Sequence, residues 1–100
     1  SVMQVLPQNF DFNTEVPIGE DLYTSYNGKE LILKSVYRYY GPVTMQYLPY
    51  GGVQSLFDNQ LIITTKSGFI ATREVVYDHI KMTTKEFIQK FPNIMNEVLS

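Results

Sequence analysis

Residues 58–91 constrain the fold more than any other part of this 100-residue sequence. Their first half holds two runs rich in β-branched and apolar residues, 60–66 and 69–77, with Ser67-Gly68 between them. Glycine supplies the positive φ that a tight hairpin turn needs, so these runs predict a β-hairpin. The preceding run, residues 53–57, predicts a third strand that extends the hairpin into a meander.

The second half of this stretch carries two independent signals for the start of a helix. Thr83 and Glu86 have the spacing of a capping box, in which each side chain binds the backbone N–H of the other residue. Met82 and Phe87 have the spacing of a hydrophobic staple, which packs across the helix start. Pro92 limits how far the helix can continue. The sequence therefore predicts a helix that is capped by Thr83 and ends near residue 91.

An earlier hairpin is predicted around Asn27-Gly28, which separates residues 21–26 from residues 29–37. Asn-Gly between apolar-rich runs is a strong hairpin signal, because a type I′ turn needs positive φ at both central residues. In the second run, each of the two alternating faces mixes polar and apolar residues. Such mixing is expected of a barrel strand that another segment partly covers.

These elements predict a mainly β fold: a small OB-like open β-barrel of five or six strands with a C-terminal helix. Six apolar residues are expected in its core: Leu61, Ile63, Met82, Phe87, Ile88 and Phe91. The length corresponds to one domain, and we expect the barrel over residues 21–100. Residues 1–20 are expected to form an N-terminal arm or interdomain linker, or a contact strip for a catalytic domain. In either case the rings of Phe10 and Phe12 are expected to dock on a surface that the sequence does not identify.

Composition excludes several classes of protein. The sequence has no cysteine, which excludes disulfides and thiolate metal sites. No apolar run approaches the roughly 18 residues that a membrane-spanning helix needs, so no membrane partner is expected. These features suit a cytoplasmic protein, which is the location we expect.

The distribution of charge is more informative than the net charge of −2. Residues 1–28 carry four acids and no base, whereas residues 29–100 carry eight bases and six acids. A dedicated nucleic-acid-binding domain usually has an isoelectric point above about 9, and the value here is about 5.2. Charge alone therefore argues against such a role.

No residue pattern indicates catalysis, a cofactor or a metal. His79 is the single histidine and is expected in a loop between a strand and the helix. It has no companion ligands at metal-site spacing, so we expect a surface residue. No activated nucleophile, phosphate-binding loop or dinucleotide fingerprint is present. We predict that this domain alone is not an enzyme.

Tyrosine is concentrated in residues 37–52. Five of the eight tyrosines lie there: Tyr37, Tyr39, Tyr40, Tyr47 and Tyr50. With Lys34 and Arg38 nearby, one hypothesis is a platform on which RNA bases stack. The alternative, which we favour, is that the rings pack on the barrel while the hydroxyls reach solvent.

Residues 61–88, LIITTKSGFIATREVVYDHIKMTTKEFI, resemble the end of the C-terminal domain of methionyl-tRNA formyltransferase and its formyltransferase relatives. That family has a strand, a glycine-containing turn, a second strand and a helix start of the form basic-Met-Ser/Thr-x-x-Glu-Phe. Residues 23–29, YTSYNGK, resemble its first hairpin, and the likeness covers roughly residues 17–91. The chain departs from the family where Lys66-Ser67-Gly68 replaces a usual Gly-Asp-Gly, and where a single basic residue, Lys81, precedes Met82.

The resemblance implies a non-catalytic accessory domain of a formyltransferase-like enzyme. Such a domain packs on the catalytic domain, expected in the same longer chain, or positions the substrate. The parent enzyme would use a formyl-tetrahydrofolate donor, with catalysis by a separate domain that no segment here matches. Two alternatives stay open: a module that binds the tRNA acceptor arm, and a stand-alone structural domain that forms a homodimer.

Few residues can be carried over from the family. Lys29 and Lys81 match its basic positions in the first hairpin and before the helix, and both are candidate contacts for phosphate or RNA. Both could equally be solvated lysines. Four more basic residues could join them only if the fold gathers them on one face: Lys34, Arg38, Lys66 and Arg73. Of these, Lys34 and Arg38 share a face of the predicted strand and are retained as candidates.

Overall fold

The computed structural model describes residues 11–43, 49–54, 59–66, 68–95 and 97–99. In chain order the strands are β1 (Leu22–Tyr26), β2 (Lys29–Leu33), β3 (Tyr37–Tyr39), β4 (Leu61–Thr65), β5 (Gly68–Thr72), β6 (Glu74–Tyr77) and β7 (Ile80–Thr83), followed by helix α1 (Thr84–Lys90) and a 3₁₀ turn (Pro92–Ile94). The predicted mainly β fold with a C-terminal helix is confirmed. No helix of the described residues is long and apolar enough to cross a membrane.

The strands form two antiparallel sheets that do not close into a barrel. One sheet has four strands in the order β1-β2-β6-β7, and the other has three in the order β3-β5-β4. The described residues thus supply seven strands, against the five or six expected. Two predicted strands each break and pass from one sheet to the other, which adds two strands, and β7 is a further strand that the sequence did not predict.

The first break lies at Ser35. Residues 29–37 were predicted as one strand, but β2 ends at Leu33 and β3 begins at Tyr37 in the other sheet. Ser35 has a φ of 46°, which an extended strand does not allow. The side chain of Val36, next in the chain, is fully buried and anchors this corner in the core.

The second break lies at Arg73, where residues 69–77 were also predicted as one strand. The chain leaves β5 in the three-stranded sheet and enters β6 in the four-stranded sheet. The two corners are bound to each other: the N–H of Lys34 donates to the carbonyl of Glu74 over 3.0 Å, and the hydroxyl of Thr72 donates to the carbonyl of Lys34 over 2.5 Å. We call this crossing, residues 34–36 and 72–74, the joint.

Both predicted hairpins are present. Asn27 and Gly28 have φ values of 52° and 75°, as a type I′ turn requires. In the later hairpin, Thr65 pairs with Gly68. Gly68 takes the expected positive φ, 113°, but as the first residue of β5 rather than within the loop.

A third hairpin was not predicted. Asp78 and His79 have φ values of 50° and 69°, and they connect β6 to β7 in a tight turn. His79 was expected in a loop between a strand and the helix, so that detail was wrong. Asp and His enter the left-handed region more readily than other non-glycine residues, which permits this turn without glycine.

The predicted helix start is confirmed at Thr83. Its hydroxyl accepts from the N–H of Glu86 over 3.1 Å, and the Glu86 carboxylate accepts from the N–H of Thr83 over 3.1 Å. Met82 and Phe87, the predicted staple residues, are both buried in the main core. The reciprocal cap and the buried pair fix the direction in which the helix leaves β7.

The main core lies between the sheets and the helix. Leu61, Ile63, Met82 and Phe87 are buried as expected, while Ile88 and Phe91 are partly buried against them. Two residues of the predicted arm, Phe12 and Val16, also belong to this core.

Two other expectations fall partly or wholly outside the described residues. Phe10, the second ring expected to dock, lies there. In the predicted strand of residues 53–57, Val53 forms an isolated bridge with Ile63. Residues 55–57 of that strand are not among the described residues.

Candidate functional site

The three candidate lysines each form an ion pair. The ammonium of Lys29 lies 3.6 Å from the Asp78 carboxylate. That of Lys81 lies 3.5 Å from Glu74. Both pairs are largely exposed, and exposed pairs contribute little because water and salt screen them. An incoming phosphate would nevertheless have to compete with these carboxylates.

The pair of Lys34 with Asp21 is closer and better organised. One carboxylate oxygen of Asp21 accepts from the Lys34 ammonium over 2.7 Å, and the other accepts from the N–H of Ser35 over 2.9 Å. The bond from Lys34, followed by the bond from Ser35, holds the pKa of Asp21 below its usual 3.8. The same carboxylate raises the pKa of Lys34. Asp21 therefore clamps the first corner of the joint.

The structure does not gather the four candidates on one sheet. Lys29 and Lys81 lie in β2 and β7, and Lys34 directly follows β2, whereas Arg38 lies in β3 of the other sheet. The expectation that Lys34 and Arg38 share a strand face is wrong, because the corner at Ser35 separates β2 from β3. The four candidates are thus dispersed over both sheets and do not form one basic strip, and the three lysines lie beside carboxylates.

An aromatic recess of about 330 Å³ lies at the end of β3, and we call it the Tyr40 recess. It is lined by Arg38, Tyr39, Tyr40, Gly41, Val43, Gly68 and Phe69. Its floor is ordered, because Tyr39 is only 8% exposed and its hydroxyl donates to the carbonyl of Pro42 over 2.6 Å. A side chain at position 41 would come within 2.5 Å of that hydroxyl, so glycine is needed there.

Tyr40 differs from the other tyrosines of its segment. Tyr39 is buried, and Tyr37 is half-buried with its hydroxyl donating to Gln60 Oε1. In both, the ring packs against the fold as favoured from the sequence, but the hydroxyl bonds to another residue of the protein instead of reaching solvent. Tyr40, in contrast, is 87% exposed beside the recess. Tyr50 is 48% exposed, and Tyr47 lies outside the described residues. The hypothesis of packed rings therefore holds for Tyr37 and Tyr39 but not for Tyr40.

A second recess, of about 300 Å³, opens at the joint. It is lined by Lys34, Ser35, Tyr37, Arg73 and Glu74, and we call it the joint recess. Arg73 was named from the sequence as a residue that could join the basic candidates, but the sequence could not place it beside Lys34. The two residues meet only because both strand breaks occur at the same place, and no local pattern marks either break.

The single histidine does not belong to a metal-binding group among the described residues. His79 is an exposed turn residue, and the described residues hold no group of three or more His, Cys, Asp or Glu placed to bind a metal ion. A function can be argued from the two recesses.

Comparisons of the chain with protein-family models, with curated proteins and with solved structures return no match.

Proposed function

We propose that this chain is a non-catalytic accessory domain of a formyltransferase-like enzyme, which packs on the catalytic domain or positions its substrate. The proposal combines the resemblance of residues 17–91 to the family's C-terminal domain with a surface suited to binding. Under this proposal the formyl-tetrahydrofolate donor and the reacting groups belong to the catalytic domain, while this chain supplies contacts.

The observation that carries the proposal is the Tyr40 recess. Tyrosine and arginine are the residues most often found at the energetic centres of protein interfaces. Tyr40 offers a large ring that loses little conformational entropy on binding, and Arg38 adds a cation at the same recess. Beside them, Tyr39 is already fixed by its bond to Pro42. Such a pre-ordered, concave aromatic surface fits an anchor side chain from a protein partner.

The ion pairs favour a protein over a nucleic acid as the partner. Nucleic-acid binding draws its affinity from Lys and Arg that neutralise phosphates. Here Lys29, Lys34 and Lys81 each lie beside a carboxylate of the same chain. Each would have to leave or share its acid before it could neutralise a phosphate.

The test is a calorimetric titration of this chain with a formyltransferase catalytic domain from the same genome. We expect saturable binding that Tyr40→Ala weakens about 30-fold, since an interface anchor contributes about 2 kcal/mol or more. Tyr23→Ala is the matched control: Tyr23 is 38% exposed but lies in β1 of the other sheet, so this change should leave affinity within about threefold. Equal losses in both variants, or no binding, would refute the proposal.

A tRNA acceptor-arm module is the second candidate, because Tyr40 and Arg38 together could also stack a base. It predicts binding to tRNA that weakens roughly tenfold or more between about 50 and 200 mM salt. Our proposal predicts no saturable binding to tRNA at the lower salt concentration.

The third candidate is a stand-alone dimerisation domain. Sedimentation equilibrium separates it from the other two, because it predicts a homodimer of this chain in the absence of any other protein. A dimer that Tyr40→Ala dissociates would assign the Tyr40 recess to self-association.

A further inference from the structure

Residues 11–20, the described part of the predicted arm, belong to no strand but contribute to the main core, and we call them the strap. Phe12 and Val16 are 3% and 4% exposed, whereas seven of the other eight residues are exposed. The strap is therefore an exposed segment that is anchored by two buried side chains.

Backbone hydrogen bonds join the strap to the rest of the fold near its two ends. At the first end, the N–H of Lys66 donates to the carbonyl of Phe12 over 3.1 Å. At the second end, the N–H of Gly19 donates to the carbonyl of Val36 over 2.8 Å. The next residue after the strap, Asp21, clamps the first corner of the joint. The first end can therefore leave the fold without breaking any pairing between strands.

The C-terminal segment, residues 97–99, is also joined to the fold by backbone bonds. The N–H of Val53 donates to the carbonyl of Glu97 over 2.7 Å, and the N–H of Leu99 donates to the carbonyl of Gly51 over 2.8 Å. Leu99 is 3% exposed and belongs to the main core. Like the strap, this segment combines a short set of backbone bonds with a buried apolar anchor.

The two segments meet at Gly51. A Cβ at this position would lie 2.3 Å from the carbonyl oxygen of Leu99 and 3.3 Å from a ring carbon of Phe12. Gly51 itself is held by β4, because its N–H donates to the carbonyl of Thr64 over 2.8 Å. Strand β4 thus fixes the place where the anchors of both segments pack.

We propose that the strap and the C-terminal segment form a latch that opens at Gly51 as one unit while both sheets stay folded. Loss of either anchor uncovers Gly51 and exposes the contacts of the other anchor to water. Segments with few buried side chains open at a lower free energy than core strands. Coupling between two sites is reciprocal, so whatever holds one segment in its released form also releases the other. The latch does not depend on the proposed accessory role.

The test is native-state hydrogen exchange of the full chain labelled with ¹⁵N. The amide of Lys66 reports release of the strap, and the amides of Val53 and Leu99 report release of the C-terminal segment. In the wild type we expect these three amides to share one opening free energy, with opening at least roughly tenfold more frequent than at amides between β4 and β5. Their exchange should depend only weakly on urea, because a small surface is exposed.

A substitution in one segment tests the coupling to the other. Leu99→Ala should speed exchange at the Lys66 amide by roughly 30-fold or more, because a buried leucine is lost from the closed state and not from the open one. Phe12→Ala should likewise speed exchange at Leu99. Val98→Ala is the matched control: Val98 is the 48% exposed neighbour of Leu99, and its truncation should leave exchange at Lys66 as in the wild type.

Two results would overturn the proposal. If the strap opens alone, Leu99 stays docked in both states, and Leu99→Ala leaves exchange at Lys66 unchanged. If the wild type shows equal opening free energies for Lys66 and for the amides between β4 and β5, the latch opens only when the whole chain unfolds. The second result comes from the wild type alone, so it decides the matter even if Leu99→Ala fails to fold.

Discussion

Replacing Phe87 with alanine tests whether packing holds the C-terminal helix in place. Helix α1 has only seven residues, and isolated helices shorter than about 12 residues are marginal in water. Its position therefore depends on side chains that it buries. Phe87 is 0% exposed, and its ring centroid lies 6.1 Å from that of Tyr26, 5.4 Å from Tyr77 and 5.3 Å from Phe91.

The expected loss follows from these contacts. Truncating a fully buried phenylalanine to alanine costs about 3–5 kcal/mol in unfolding free energy, the sum of lost burial and the cavity left behind. The three ring contacts place Phe87 near the upper end, since each aromatic pair adds about 0.5–1.5 kcal/mol. For a domain of this size, a loss of about 3 kcal/mol lowers the melting temperature by roughly 12 °C or more.

Urea unfolding, followed by circular dichroism, measures this change directly. Tyr40→Ala is the control, because a side chain that is 87% exposed should change the unfolding free energy by about 0.5 kcal/mol or less. A loss below about 1.5 kcal/mol for Phe87→Ala would contradict the packing of α1 on the four-stranded sheet.

Three further outcomes are expected. The folded state lowers the pKa of Asp21, so this residue stabilises the fold above its usual pKa of 3.8, and the stabilisation is lost as pH falls through the folded-state pKa. Asp21→Asn should therefore reduce the decrease in unfolding free energy, measured with urea, below about pH 4. Gly51→Ala should destabilise the fold more than Gly28→Ala. Both residues have positive φ, but a Cβ at Gly51 would meet the carbonyl of Leu99 at 2.3 Å, whereas a Cβ at Gly28 would meet nothing within 4 Å. A difference in unfolding free energy of about 1 kcal/mol or less, the cost of about one strained residue, would refute this reasoning. His79→Gly should raise the unfolding free energy by about 0.5–1 kcal/mol, because glycine adopts the φ of 69° without strain at a small cost in unfolded-state entropy. A melting curve unchanged from the wild type would show that the turn is unstrained.

The elements that sequence patterns predicted are those defined by neighbouring residues. Asn27-Gly28 specifies its turn through the φ values that only a few residue types tolerate. Thr83 and Glu86 specify the helix start through two hydrogen bonds within a single turn. In each case the chemistry acts over four residues or fewer, so the pattern is legible without knowledge of the rest of the chain.

The features that the sequence did not reveal depend on contacts between distant segments. Ser35 takes a φ of 46° without being glycine, and Arg73 carries no turn signal, yet both mark the passage between sheets. The pairing of β2 with β6 exists only once these corners have formed. The same holds for the joint recess, since Lys34 and Arg73 meet through tertiary structure alone.

The candidate site shows the same difference between features that local sequence predicts and features that depend on contacts between distant segments. A tyrosine-rich segment that contains Arg38 was recognisable from composition, and packing of its rings on the barrel was favoured over a surface that stacks RNA bases. Composition could not distinguish Tyr39, whose hydroxyl bonds to Pro42, from its exposed neighbour Tyr40. Nor could it show that the candidate lysines have carboxylate partners, because those acids come from other strands and turns.

A map of where the catalytic domain binds tests most directly the proposal that the Tyr40 recess is a docking surface. ¹⁵N-labelled chain would be titrated with the formyltransferase catalytic domain of the same genome, and amide shifts would be followed residue by residue. We predict that the largest shifts fall at residues 38–43 and 68–69, which surround the Tyr40 recess. Shifts confined instead to the cross-strand row of Tyr23, Ile32 and Val76 on the four-stranded sheet would contradict it.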